Sequence, residues 1–260
     1  MHRPCSSLIR PSTLALSILL GICTITARAD GLQDLKQALA RLGAQTPVKA
    51  SIEVKTWHRI GEGSDVEEHQ GLVAASLEDN ARGLQLSLGK ETLAHVEAEK
   101  RAEAKDPKAN TPTLYALKEL DTADIYPLLS TANRLSRVFD EAVFKEEKVD
   151  TYGGKPARVL RFSYPIERMP ERDRKYVKKF DCNLDVWIAA DGTPLASRLS
   201  QDVSGRAFVV VTFAQKSEEE FTYAVVGDRL VTTRMVSHEH SEGAGDKVER
   251  RITRTLQLQS

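Results

Sequence analysis

Cysteine is scarce in this chain. Its 260 residues include three, Cys5, Cys23 and Cys182. The first two stand in a stretch that reads as a removable leader, so the mature chain keeps Cys182 alone and has no internal disulfide framework. An excess charge of one sign is also missing. With 37 basic residues against 37 acidic ones, no overall field draws in nucleic acid. After the leader no apolar run is long enough to cross a bilayer as a helix. Helical metal signatures, glycine-rich phosphate loops and nucleophile elbows are absent from the sequence, and these are the usual local signs of catalysis. The expectation is a protein that is not an enzyme, with no cofactor and no metal. Repeats and low-complexity linkers are lacking as well, which predicts one domain over 30–260.

What is present begins with the leader itself. His2, Arg3 and Arg10 precede the apolar run "TLALSILLGICTIT" and the small-residue site "ARA". This pattern predicts a signal peptide over 1–29, cut before Asp30, and hence a soluble exported chain. The alternative of lipid attachment at Cys23 is disfavoured because Ile22 is not small. The remaining chain of about 230 residues, with 41% apolar content overall, can bury a substantial core.

Leu32, Leu35, Leu39 and Leu42 recur at helical spacing, giving a short amphipathic helix stopped by Gly43. Val48, Ala50, Ile52 and Val54 then alternate with polar residues in "PVKASIEVKTWHR", the mark of a strand with one dry face. Two more strands, "GLVAASLED" and "LQLSL", follow, joined by "NARG". The middle is helical: "KETLAHVEAEKRAEAKD" on the surface, then "NTPTLYALKEL" with Thr111 as cap and Pro112 in the first turn. After it Ile125, Leu128, Leu129, Ala132, Leu135 and Val138 form a continuous apolar stripe. From about Glu146 the chain reads as hairpins turning at "GG", "ADGT" and short polar stretches, with "GRAFVVVTFAQ" and "EFTYAVVGD" as separate strands. In "AFVVVTF" Phe208 and Val210 fall on one face and Val209, Val211 and Phe213 on the other, so it is expected to be covered on both sides. Roughly nine to eleven strands joined by tight turns imply a curved, mostly antiparallel sheet. The fold class expected is α+β, a half-open β-barrel whose concave face is covered by helices.

The last hairpin decides the meaning of "SHEHSEG" (Ser237 to Gly243). With Ser241 to Asp246 as its loop, His240 lies opposite Lys247 and His238 opposite Glu249, on the wet face. A metal site there needs a third ligand, and the expected neighbour of His240 is a cation. The opposite, mainly apolar face carries Met235, Glu239, Arg250, Ile252 and Arg254. These five are the candidate ligand-binding residues, with the two guanidinium groups suited to a carboxylate or phosphate. The competing reading is a rim ion pair whose stems lie along apolar surface. Cys182 reads as a small half-buried residue beginning a strand. The segment Glu167 to Phe180 carries Arg172, Arg174, Lys175, Lys178 and Lys179 with interleaved apolar residues. It reads as a solvated connector, or as a basic lid that touches an anionic surface or a partner.

The succession "YGGKPARVLRFSYP", "LDVWIAADGTPLASRL" and "GRAFVVVTFAQ" resembles the LolA/LolB-type superfamily of outer-membrane lipoprotein-sorting proteins. There a Gly-Lys/Arg-Pro-Ala strand, a strand ending before an Asp-Gly-x-Pro-Leu turn, and a glycine-led strand recur in that order. The resemblance spans Val149 to Phe221, and its motifs are structural turns. It implies an unclosed barrel around a hydrophobic cavity, acting in the periplasm on acyl chains or lipoproteins. No carrier binding residue of that family maps onto a numbered position here. The expected function is thus binding of a lipid, acyl chain or lipoprotein. The alternative is a non-lipid envelope accessory that docks a partner through the basic segment or a sheet edge. What separates the two is whether the concave face holds an apolar cavity or is filled by the Ile125 to Val138 helix.

Overall fold

A computed structural model describes residues 30–207, 211–243 and 245–259. The expected leader and its cleavage position lie outside the described residues, as do Phe208, Val209 and Val210 of the "AFVVVTF" run. In chain order the elements are α1 (Gly31–Arg41), β1 (Val48–Ile60), β2 (Glu67–Asn80), β3 (Gly83–Ser87), α2 (Lys90–Lys105), α3 (Pro112–Leu117), α4 (Thr122–Leu129) and α5 (Thr131–Glu141). There follow β4 (Val143–Tyr152), β5 (Lys155–Ser163), α6 (Glu171–Arg174), β6 (Val177–Ile188), β7 (Pro194–Ala207), β8 (Val211–Val226), β9 (Arg229–Gly243) and β10 (Asp246–Leu258).

The strands form one 10-stranded sheet in the order β3-β2-β1-β10-β9-β8-β7-β6-β5-β4, and each named pairing is antiparallel. β3 and β4 end that order without pairing to each other, so the sheet is not closed. The fold is α+β, with an arrangement consistent with a half-open barrel. One face of the sheet, the inner one, is covered by helices. Along β1 every second residue from Val48 to Thr56 is buried, as the alternation requires. Two apolar clusters fill this face. One joins β1, β2 and β10 to α3 and α4, and the other joins β5, β6 and β8 to α1 and α5. Met235 packs against both.

Several local expectations are corrected. The apolar stripe does not run in one helix, because Ser130 interrupts it between α4 and α5. The carbonyl of Leu129, which a continuous helix would bond internally, accepts instead from the buried Arg229 Nε at 2.7 Å. Gly43 does not end α1 in a left-handed conformation; it forms an isolated bridge with Arg229. Thr111 makes no side-chain cap on α3; Glu99 of α2 takes the N–H groups of Thr113 and Leu114, at 3.0 and 2.8 Å. "GRAFVVVTFAQ" is not one strand. β7 ends at Ala207 and β8 begins at Val211, paired to each other, and Gly205 sits within β7 instead of leading a strand. The stretch "KSEE" between the two expected strands lies inside β8, where Arg198 offsets Glu218 at 2.9 Å and Glu220 at 2.6 Å.

The final hairpin is tighter than expected. β9 reaches Gly243 and β10 resumes at Asp246, which moves the register by two residues and sets His240 opposite Glu249. A shift of two preserves the parity of every side chain. The assignment of faces therefore stands while the individual partners change.

Candidate functional site

The inner face carries a polar cluster at the edge of its apolar core. Parity along β10 aims Arg250, Ile252 and Arg254 at the helices. Ile252 and Arg254 are buried, at 5% each, and Arg250 is half-buried. Glu119, just beyond α3, meets both arginines. It accepts from Arg250 Nη2 at 2.5 Å and, through Oε2, from Arg254 Nη2 at 3.2 Å. Arg254 also donates to the Glu119 carbonyl and to Asp124 on α4, and its Nη1 lies 3.4 Å from the Met235 sulfur. Glu239, opposite Arg250 in register, accepts from Gln215 at 3.0 Å. The five residues singled out from sequence are thus brought together, and the carboxylate held by the arginines is the chain's own.

Beside them Tyr115 of α3 bonds His58 Nδ1 through its hydroxyl at 2.7 Å, and the His69 ring stacks on Tyr115 with centroids 5.3 Å apart. Burial lowers the His58 pKa, and Arg250 and His69 press it the same way. Burial likewise raises that of Tyr115. Sequence reasoning missed Glu119, Tyr115 and His58. For His58 a signal existed, since the dry parity of β1 continues through Thr56 to it. Glu119 has none, because its partners lie 131 and 135 residues away. On the far side of His69 and Tyr115 a cavity of about 730 Å³ opens between β2 and the 107–112 loop, lined by Glu68, Glu103, Lys108 and Lys118 among others.

The outer face is a lattice of ion pairs. Arg161 holds Asp185 through two hydrogen bonds of 2.7 Å, and Lys179 holds Asp202 at 2.7 Å. His240 sits 3.0 Å from Glu242 and 3.9 Å from Glu249. His238 and His240 line an open groove of about 310 Å³ with Lys216, Glu218 and Arg251. Among the described residues no three His, Cys, Asp or Glu side chains are grouped to hold a metal. Cys182 is half-buried within β6, and burial, then Asp181, pushes its thiol up to about 11.

The basic segment breaks into a short 3-10 turn at Ile166–Arg168, then α6, and runs into β6 at Val177. Arg172, Lys175, Lys178 and Lys179 are exposed and Arg174 is half-buried. Lys179 is committed to Asp202 and Arg172 lies 3.6 Å from Asp173. Arg174, Lys175 and Lys178 have no ion pair among the described residues, and Lys175 Nζ lies 4.9 Å from the centroid of the Tyr176 ring. No helix of the described residues is long and apolar enough to cross a membrane.

No protein-family profile and no curated protein matches the chain. Among solved structures, the crystal structure of MucB in complex with MucA(peri) is similar over 88% of this chain and 93% of that one, with 9% identity and a TM-score of 0.21.

Proposed function

We propose that the chain is a non-catalytic, exported accessory of the cell envelope that docks an acidic partner through its basic segment and carries no lipid. The observation behind this reading is the packing of the inner face. Leu35, Ile52, Val54, Ile125, Leu129 and Leu160 are all fully buried there, each at 0%. A carrier needs an apolar space for acyl chains, but α4 and α5 lie where such a space would be. The Arg250 and Arg254 pair, which would have gripped a ligand headgroup, is already engaged by the carboxylates of Glu119 and Asp124.

The basic segment carries several cations close together in sequence. Arg174, Lys175 and Lys178 fall within five residues of one another in sequence and, unlike Lys179 and Arg161, stand outside the ion pairs among the described residues, while Lys175 Nζ lies 4.9 Å from the centroid of the Tyr176 ring. Charged patches of this sort steer association and set its salt dependence. Residues 107–112 beside the 730 Å³ cavity carry no comparable set of like charges.

The test has two arms. Native mass spectrometry and organic extraction of the mature chain are expected to find no lipid at stoichiometric level, with no binding of a fluorescent fatty acid. A photo-crosslinker at position 178 in intact cells is expected to give one discrete protein adduct that vanishes when Arg174→Glu and Lys175→Glu are combined. A tightly held lipid, or adduct formation indifferent to the charge reversal, would overturn the proposal.

A further inference from the structure

The two ends of the sheet differ. β3 is 5 residues long, and the part of β2 beyond it is approached by helices: Thr92 of α2 bonds the Ala74 carbonyl, and Gly71 lies against Pro112 and Ala116 of α3. β4 runs for 10 residues and has no strand on its outer side among the described residues. Unpaired edges of this length are templates for another strand, and proteins usually blunt them with bulges and lysines. Here the irregularity falls between Phe144 and Glu146, so beyond it the blunting device left is Lys148, whose exposed ammonium is tied back to Glu146. The stretch Glu146–Tyr152 stays in regular pairing with β5. At its middle Val149 is 90% exposed, the highest value among the exposed large apolar residues.

We propose that the mature chain self-associates as a two-fold dimer, Glu146–Tyr152 of one copy pairing antiparallel with the same stretch of a second copy about Val149. What points to a second copy is charge complementarity within the stretch itself. Centring the two-fold on Val149 sets valine against valine and Lys148 against Asp150 of the second copy, twice over. Glu147 then faces Thr151, and Glu146 faces Tyr152, with no like charges opposed. Centring it on Glu146 or Glu147 would oppose two glutamates. Lys148 and Asp150 share a face by the strand's period of two. Asp150 is held on that face by Trp187 Nε1 at 2.8 Å. The current partner of Lys148 is Glu146, at 2.6 Å in an exposed pair, and such pairs contribute little. Cross-strand pairs of opposite charge and between β-branched residues are the elementary stabilising contacts of a sheet.

The experiment is sedimentation equilibrium on the mature chain over roughly 1–300 µM, a span suited to weak association. The wild type should show a monomer–dimer equilibrium. Val149→Lys, Lys148→Glu and Asp150→Lys should each weaken it at least about tenfold, since every substitution acts on both symmetric halves of the contact. An equimolar mixture of Lys148→Glu and Asp150→Lys should dimerise again, because each like-charge opposition becomes an opposite-charge pair in the mixed species. Asp150→Lys also removes the Trp187 hydrogen bond, so its fold is checked by near-UV circular dichroism. Val149→Lys and Lys148→Glu stand without it. A wild type monomeric throughout, a dimer indifferent to Val149→Lys, or a mixture of folded variants that stays monomeric would each overturn the proposal.

Discussion

Arg229 ties together segments far apart in the chain. Its side chain is 2% exposed, and it donates to the Leu129 carbonyl, the Thr46 carbonyl and Asp79, the last at 2.5 Å. Asp79 is itself 4% exposed, so the pair is almost wholly removed from water. Deleting one member leaves the other charged and unpartnered, at a cost of about 3–5 kcal/mol. Arg229→Leu should therefore lower the urea midpoint far more than Arg198→Leu, which removes exposed ion pairs and a contact over the Trp187 ring. Equal effects would show that Arg229 is not a tie. His58 gives a prediction of known sign. Its folded pKa lies below the ordinary imidazole value of 6.5, so as pH falls through that value the unfolded chain takes up the proton first. Stability is then lost on acidification below about 6.5. Replacing His58 with Gln should flatten that acid-side decline between pH 6.5 and 5, as followed by chemical denaturation. An unchanged slope would exclude His58 as its source. The Cys182 thiol, raised from 9.0 to about 11, should react with iodoacetamide at pH 8 about a hundredfold more slowly than an unperturbed thiol, in proportion to its thiolate population. At this scale the sequence revealed which side chains turn inward, Arg254 among them, because parity is local. It did not reveal that Glu119 and Asp79 would meet arginines more than a hundred residues away.

Elements were legible to the extent that their causes were local. The alternation in β1, the glycines of the Gly153 and Gly154 turn, both at positive φ, and the leucine stripe of α1 all announce themselves. The division of α4 from α5 does not, and the carbonyl of Leu129 beside it is met by a guanidinium arriving from β9. The same break places Thr131, fully buried at 0%, against Thr232, also 0%. Their hydroxyls are 2.8 Å apart, and Thr131 also donates to the Leu128 carbonyl at 2.9 Å. Thr131→Val should cost about 1–3 kcal/mol by leaving a buried hydroxyl partly unsatisfied. Adding Thr232→Val should recover a measurable part of that loss, so the two changes are non-additive in a double-mutant cycle. Strict additivity would mean that the hydroxyl pair does not fasten the helices to the sheet. The register of the β9–β10 hairpin shows the limit of pattern reading. Periodicity fixes parity, but only the turn fixes which residue faces which.

At the scale of the molecule the question is whether two apolar clusters make one cooperative unit. They are joined in several ways. Hydrogen bonding of the sheet is continuous across both halves, β9 gives Val231 to one cluster and Leu230 to the other, and α4 and α5 follow one another directly while packing in different clusters. Met235, beside the buried Arg254, touches both. Exposing either cluster alone would strand the apolar face of β9 in water and break the inward polar contacts of Arg229 and Thr131, so partial unfolding should be strongly disfavoured. The chain carries its own reporters, for its two tryptophans fall one in each half: Trp57 on β1 and Trp187 on β6. Both lie on the outer face, so changing either to Phe leaves the clusters intact. In urea the fluorescence transitions of Trp57→Phe and Trp187→Phe should match the far-UV circular dichroism transition of the same variant, with one midpoint in each. Two midpoints, with one tryptophan released before the other, would divide the molecule at β9 and make the single-domain reading wrong.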